Sequence, residues 1–372
     1  FVPSTFPDDS GQVFNHQAAG RGAYSAHNIL NNIELKNNSV HFTYEDNTLY
    51  SADKKTLIYH SIKNTGTKFE VPEGVNIITK HAFFMCDNLE EITLPSSLKK
   101  IENNPFSGCS KLSIKNNSGS YFIIDNVIYN QFKTSIVGAL NKIDTDCLVI
   151  PEGTKTINRN SFWNCKGIRK IVLPSTLEDI GYNPFVGCSN IHFESRSSKY
   201  KVIDDVLYTA DLMKLVCFPA WKAIGKVSLP DSVITLERGA FSGCNKLEEI
   251  NLHNVNIINK SCFTNCISLK NIYCSDLISY IGEWAFAYCE NLESISVFKD
   301  TIIDNNAFSN CNIKVIKREN RSNYLIESEN EFTLKALLKN YEGKIDSVLI
   351  DPPYNSDIDY IGYKDQKFGS YA

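Results

Sequence analysis

No apolar run in this 372-residue chain approaches the roughly 18–20 residues that a membrane-spanning helix needs. Nor is there a basic excess: the net charge is −4, so the chain as a whole carries no electrostatic footprint for nucleic acid. No two cysteines have the two-residue spacing of a zinc knuckle, and the seven histidines neither cluster nor recur, which disfavours a metal centre. Gly20 and Gly22 follow no strand and precede no Gly-Lys-Ser/Thr, so they make no phosphate loop. The chain opens at Phe1 without a charged region followed by an apolar stretch, and it gives no targeting information. Residues 1–39 are polar, rich in Gly, Ser and Asn, and read as an arm without a period.

What is present is repetition. A phenylalanine followed three residues later by a cysteine occurs eight times, at Phe83/Cys86, Phe106/Cys109, Phe162/Cys165, Phe185/Cys188, Phe241/Cys244, Phe263/Cys266, Phe286/Cys289 and Phe308/Cys311. The steps between the phenylalanines are 23, 56, 23, 56, 22, 23 and 22 residues, and a fixed period of this size is the signature of a solenoid. Eight of the twelve cysteines therefore hold one repeated place. This is the pattern of a buried, reduced packing position rather than of disulfides or metal ligands. A second period of 79 residues joins Tyr50, Tyr129 and Tyr208, each closing a run (HFTYEDNTLY, YFIIDNVIY, YKVIDDVLY) that reads as a β-hairpin. The same spacing relates Val71-Pro72, Ile150-Pro151 and Leu229-Pro230. The unit is a hairpin followed by two coils, used three times, with two further coils in the third.

Within one coil, Ile92 and Leu94 alternate as a strand facing the core and Pro95 ends it. Phe106, Cys109 and Leu112 fall at three-residue intervals, the spacing of one face of a short α or 3₁₀ segment. Residues 40–316 are thus expected to form a solenoid of short parallel strands, short helical segments and hairpin insertions. VPEGVNIITKHAFFMCDNLEEITLP (71–95) and IPEGTKTINRNSFWNCKGIRKIVLP (150–174) resemble the BspA-type leucine-rich repeats of bacterial surface proteins and some protist proteins. The resemblance implies a leucine-rich-repeat scaffold that binds or adheres to protein or glycan partners and has no catalysis of its own. Pro105 and Pro184, in place of the alanine before phenylalanine, depart from that pattern, as do Cys262 and Ile272-Tyr273-Cys274.

Residues 317–372 follow another period. Tyr324-Leu325-Ile326 reads as a strand, Phe332, Leu334, Leu337 and Leu338 as a helix stripe stopped by Gly343, and Val348-Leu349-Ile350 as a second strand ending at Asp351. Strand–helix–strand begins a parallel α/β sheet, where ligands bind beyond strand carboxyl ends. Asp351-Pro352-Pro353-Tyr354 at that place resembles the catalytic motif of amino-group DNA methyltransferases. Asn330, Gly343-Lys344, Asn355 and Tyr363-Lys364-Asp365 fall in register with the modification subunits of type III restriction systems. The resemblance implies that Asp351 and the Pro352 carbonyl would accept the two hydrogens of an adenine amine, Pro353 would stiffen the loop, and Tyr354 would stack on the flipped base.

In that family the cofactor-binding F-x-G-x-G follows the catalytic motif. The sequence stops at Ala372 without it, and Glu327-Ser328-Glu329 replaces the family's Gly-Asp. The expectation is an incomplete α/β methyltransferase segment that is inactive and without cofactor as it stands. S-adenosylmethionine and DNA enter only for a completed adenine-N6 methyltransferase carrying the repeats as an interaction domain. The same division sets location: cytoplasm if the methyltransferase segment decides, cell surface or secretion if the repeats do.

Overall fold

The computed structural model describes residues 40–319 apart from 62–64 and 183, all within the compact unit Phe1–Ile326. The expected arm at 1–39 and the α/β segment from 320 onward, including Asp351 through Tyr354, lie outside the described residues.

Each coil carries two strands rather than one. In the coil after Phe83, Glu91–Leu94 forms the longer strand and Lys100–Ile101 a second, two-residue strand. Ile92 and Leu94 point inward with no exposed surface, while the alternate positions face out. Coils stack in parallel register, Glu91 beside Ser113 and Ile77 beside Lys100. Leu94, Leu98, Ile101, Phe106, Cys109 and Leu112 then share one apolar cluster with the coils on either side. No coil closes its own core, and stacking supplies what each lacks.

The hairpins form where the 79-residue period places them: Phe42–Glu45 with Thr48–Ser51, Tyr121–Ile124 with Val127–Asn130, and Tyr200–Ile203 with Val206–Thr209. Their two-residue turns, Asp46-Asn47, Asp125-Asn126 and Asp204-Asp205, all have positive φ, the tight turn that matches strand twist and favours Asp and Asn. Each hairpin then pairs antiparallel with the first strand of the solenoid sheet, Thr56–His60, Ser135–Ala139 or Lys214–Cys217. The short-strand layer is accordingly divided into three sheets, each opened by a hairpin. Tyr121 and Tyr200 bridge the seams: their hydroxyls accept the amides of Ile101 at 2.5 Å and Ile180 at 2.9 Å from the block before.

The expected helical segments are absent. Among the described residues there is no α or 3₁₀ helix, and the Phe-x-x-Cys segments are consecutive turns. The cause is backbone handedness. The second residue after every ladder phenylalanine is left-handed, with φ between 57° and 88° at Met85, Gly108, Asn164, Gly187, Gly243, Asn265, Tyr288 and Asn310. His81, Asn104, Asn160, Gly239, Ser261 and Trp284, two residues before the phenylalanine in their coils, are left-handed as well. A right-handed helix cannot propagate through such residues. The turns instead spend their amides between coils: Phe83 N–H donates to Pro105 O, and Met85 N–H to Ser107 O. This also explains the two prolines. Pro105 and Pro184 are asked only for a carbonyl, taken by the amides of Phe83 and Phe162.

Candidate binding surface

The repeated phenylalanines form a ring column inside the turns. Phe162 stacks on Phe185 at 5.7 Å, and Phe241, Phe263, Phe286 and Phe308 follow at 5.0, 5.0 and 5.4 Å. Phe83 and Phe106 stack at 5.5 Å. The cysteines have a second role beside filling space. Five of the eight ladder thiols donate to the carbonyl of the ladder phenylalanine one coil earlier: Cys109 to Phe83 at 2.9 Å, Cys188 to Phe162 at 3.0 Å, Cys266 to Phe241 at 3.2 Å, Cys289 to Phe263 at 3.2 Å and Cys311 to Phe286 at 2.9 Å. In the first coil of each block the acceptors are His60, Leu140 and Phe218, and the bonds from Cys86, Cys165 and Cys244 lengthen to 3.7, 3.9 and 3.7 Å. Cysteine suits this place because it is small, apolar and carries one weak donor.

These residues are not a reactive site. Seven of the eight ladder cysteines are buried and Cys311, in the last coil, is half-buried. Burial pushes the Cys109 and Cys188 thiols up to about 12, which removes the thiolate that nucleophilic or metal chemistry requires. Among the described residues no three His, Cys, Asp or Glu side chains group to hold a metal ion, and no helix is long and apolar enough to cross a membrane.

What the solenoid offers outward is the alternate face of its longer strands and the turns beside them. Ion pairs cross that face from coil to coil: Lys68–Glu91 at 3.3 Å, Lys170–Glu194 at 2.6 Å and Lys226–Glu249 at 3.1 Å. Lys226 also lies 5.7 Å from the ring centre of the half-exposed Tyr273. Pairs this exposed contribute little stability, so they define the surface more than they hold it. The third hairpin adds to it: His192 sits on the Trp221 ring at 4.6 Å and 3.1 Å from the Asp205 carboxylate at the hairpin turn.

Sequence reasoning missed the second strand of each coil and the left-handed turn positions. A signal for the latter was present, since six of those eight residues are Gly or Asn, the types that adopt this conformation most readily.

The profile described as "BspA type Leucine rich repeat region (6 copies)" matches residues 58–148, 137–220 and 213–332. No curated protein matches the chain. Among solved structures, a leucine rich cell surface protein from Faecalibacterium prausnitzii A2-165 is similar at 19% identity and TM-score 0.43, over 81% of this chain and 97% of that one. A leucine-rich repeat protein from Eubacterium ventriosum is similar at 18% identity and TM-score 0.35, over 78% and 97%. The pneumococcal vaccine antigen PcpA is similar at 13% identity and TM-score 0.40, over 81% and 96%.

Proposed function

Because the chain belongs to the BspA-type leucine-rich-repeat family, we propose that it is a non-catalytic binding scaffold whose protein or glycan partner lies across the outer faces of several coils. The observation that carries this reading is the division of labour within each coil. The repeated apolar residues, such as Phe83, Cys86, Leu89, Ile92 and Leu94, are buried, and the outward positions of the longer strands vary from coil to coil in charge and size. A fixed interior with a variable polar exterior suits recognition, and an extended surface of this kind is how solenoids bind. The test is a protein and glycan array probed with the full chain, followed by Lys226→Ala and Tyr273→Ala in the best hit. Saturable binding that weakens at least fivefold in either variant, at unchanged melting temperature, supports the reading. An array without a saturable partner refutes it.

The register of Asp351-Pro352-Pro353-Tyr354 with its flanking residues favours a second reading for the end of the chain. There it begins a DNA adenine-N6 methyltransferase that uses S-adenosylmethionine, with Asp351 and Tyr354 at its active site. Methyl transfer to DNA by the protein of the whole reading frame, lost in Asp351→Ala, is the result this reading requires.

A further inference from the structure

The turn residues just after the short strands make a ridge along the solenoid, and its charges are mostly neutralised between coils. Lys260 pairs with Glu283, Asp304 accepts from the Tyr280 hydroxyl and the Glu283 amide, and Lys100 pairs with Glu102. One place departs from this. Arg159 and Arg238 both lie over the ring of Tyr182, with guanidinium carbons 4.6 and 5.1 Å from its centre. Arg159 donates to the Tyr182 hydroxyl, but its Nε is buried without a hydrogen-bond partner. Among the described residues neither arginine has a carboxylate within ion-pair distance. The nearest acid in sequence, Glu237, is paired with Lys214 at 3.4 Å.

The second seam explains how these groups come together. Tyr182 follows the last short strand of the second block, and Arg238 follows the second short strand of the third. In the coil between them, Leu215 and Phe218 are equivalent to Leu236 and Phe241. Their separations are 218 − 215 = 3 and 241 − 236 = 5 residues, so the intervening coil lacks two ridge positions. The notch that results brings Arg238 across to Tyr182. Two guanidinium groups then share one neutral aromatic ring, and burial together with Arg238 holds the Arg159 guanidinium down at about 10. Like charges brought together with donors unspent are stabilised by an anion.

We propose that Arg159, Tyr182 and Arg238 form a binding site for the carboxylate groups of an acidic glycan. This rests on the reading of the solenoid as a binding scaffold. A sugar is favoured over an acidic peptide because Thr235–Leu236 is paired on both sides, while Asp179–Ile180, which ends its sheet, has its outward Ile180 amide taken by Tyr200. No strand edge there is free to add a peptide backbone.

The experiment is calorimetric titration of the full chain with an oligogalacturonate, with its carboxyl-reduced neutral counterpart, and with an oligoglutamate of equal charge. Saturable binding of the oligogalacturonate alone is expected, weakened at least tenfold in Arg238→Gln. Arg238 is exposed, so that variant should keep the wild-type melting temperature; Arg159→Gln should give the same loss. Absent binding, equal binding of the neutral oligomer, unchanged affinity in Arg238→Gln, or tighter binding of the oligoglutamate would each overturn the proposal. An array partner whose affinity ignores Arg238 would likewise sink this site while leaving the scaffold reading intact, whereas an array with no partner sinks the scaffold reading itself.

Discussion

His60 occupies the place that phenylalanine holds in later coils, 23 residues before Phe83, and its carbonyl accepts the Cys86 thiol. The ring is 3% exposed and packs on Phe69 at 4.4 Å and Phe83 at 5.3 Å. Its Nδ1 lies 2.7 Å from the hydroxyl of the fully buried Thr48. Burial lowers its pKa from 6.5 to about 4, because the imidazolium would be stripped of water. A histidine held neutral in this way contributes stability that is fully present above its unfolded pKa. That stability is lost as pH falls from there through the folded value. The shift corresponds to about 3 kcal/mol between pH 7 and pH 4. Carboxylates such as Glu73 and Glu152, lowered first by the amides of Ser96 and Ser175, also weaken the fold on acidification, so the total pH slope does not isolate His60. The difference between wild type and His60→Phe does. Thr48 keeps a partner in that variant, the Asp46 carbonyl at 3.2 Å. A solenoid loses coils from its ends, so the assay is amide exchange of residues 77–94 in both proteins from pH 7 to pH 4. The wild type should lose about 3 kcal/mol of protection relative to His60→Phe over that range. Parallel curves would refute the reasoning.

The buried thiol column makes a kinetic prediction. Cys147 is exposed and should react with Ellman's reagent in the folded protein, a phase that Cys147→Ser removes. Cys109, Cys188 and Cys266 should react only on unfolding, and their modification in the native state would show that the column is open. The left-handed turn positions separate two costs of adding a Cβ. Gly243 at φ 81° has nothing within 4 Å of that atom, whereas at Gly187, also φ 81°, the Cβ would lie 3.0 Å from the Asn164 Cα. Gly243→Ala should cost about 1 kcal/mol from handedness alone, and Gly187→Ala at least about 1 kcal/mol more. Urea unfolding decides this, and equal costs would contradict the contact.

The features visible in the sequence were those set by periodic burial. Phe83, Cys86 and their equivalents recur because each coil must offer its neighbour a ring to stack on and a thiol to bond its carbonyl. The hairpins were legible because Asp125-Asn126 and Asp204-Asp205 have apolar residues on either side of them. The helical reading failed at Phe106, Cys109 and Leu112 because a three-residue interval is shared by a helical face and by a chain of turns. Only handedness distinguishes them, and Met85 and Tyr288 take the left-handed position against their own preference. The second strand was hidden for a different reason. Two residues such as Lys100-Ile101 are too few to show a period, and they are strand only because Ile77-Ile78 lies beside them. The site at the second seam was illegible as well, since Arg159, Tyr182 and Arg238 share no motif and meet only through the stacking of coils.

The seams account for both the limits of the regularity and its use. A hairpin interrupts the short-strand layer, and the thiol bonds of the first coil after it lengthen. Each interruption would leave the preceding strand's amides unpaired, which is costly for groups as buried as that of Ile101. Tyr121 and Tyr200 answer this with one phenol hydroxyl at each seam. At the first seam the buried Asn104 adds a second fastening, its amide donating to the carbonyls of Asn160 and Ser161 at 2.9 and 3.2 Å. Apart from one backbone bond at the first seam, Asn104 N–H to Val137 O at 3.2 Å, the polar joints between the blocks are thus made by side chains, where coils within a block are joined by strands. Side-chain joints accept substitution more readily than a backbone ladder does. A repeat whose interior is fixed in every coil then has its freedom at the seams and on the outward faces, where recognition can vary while stacking does not.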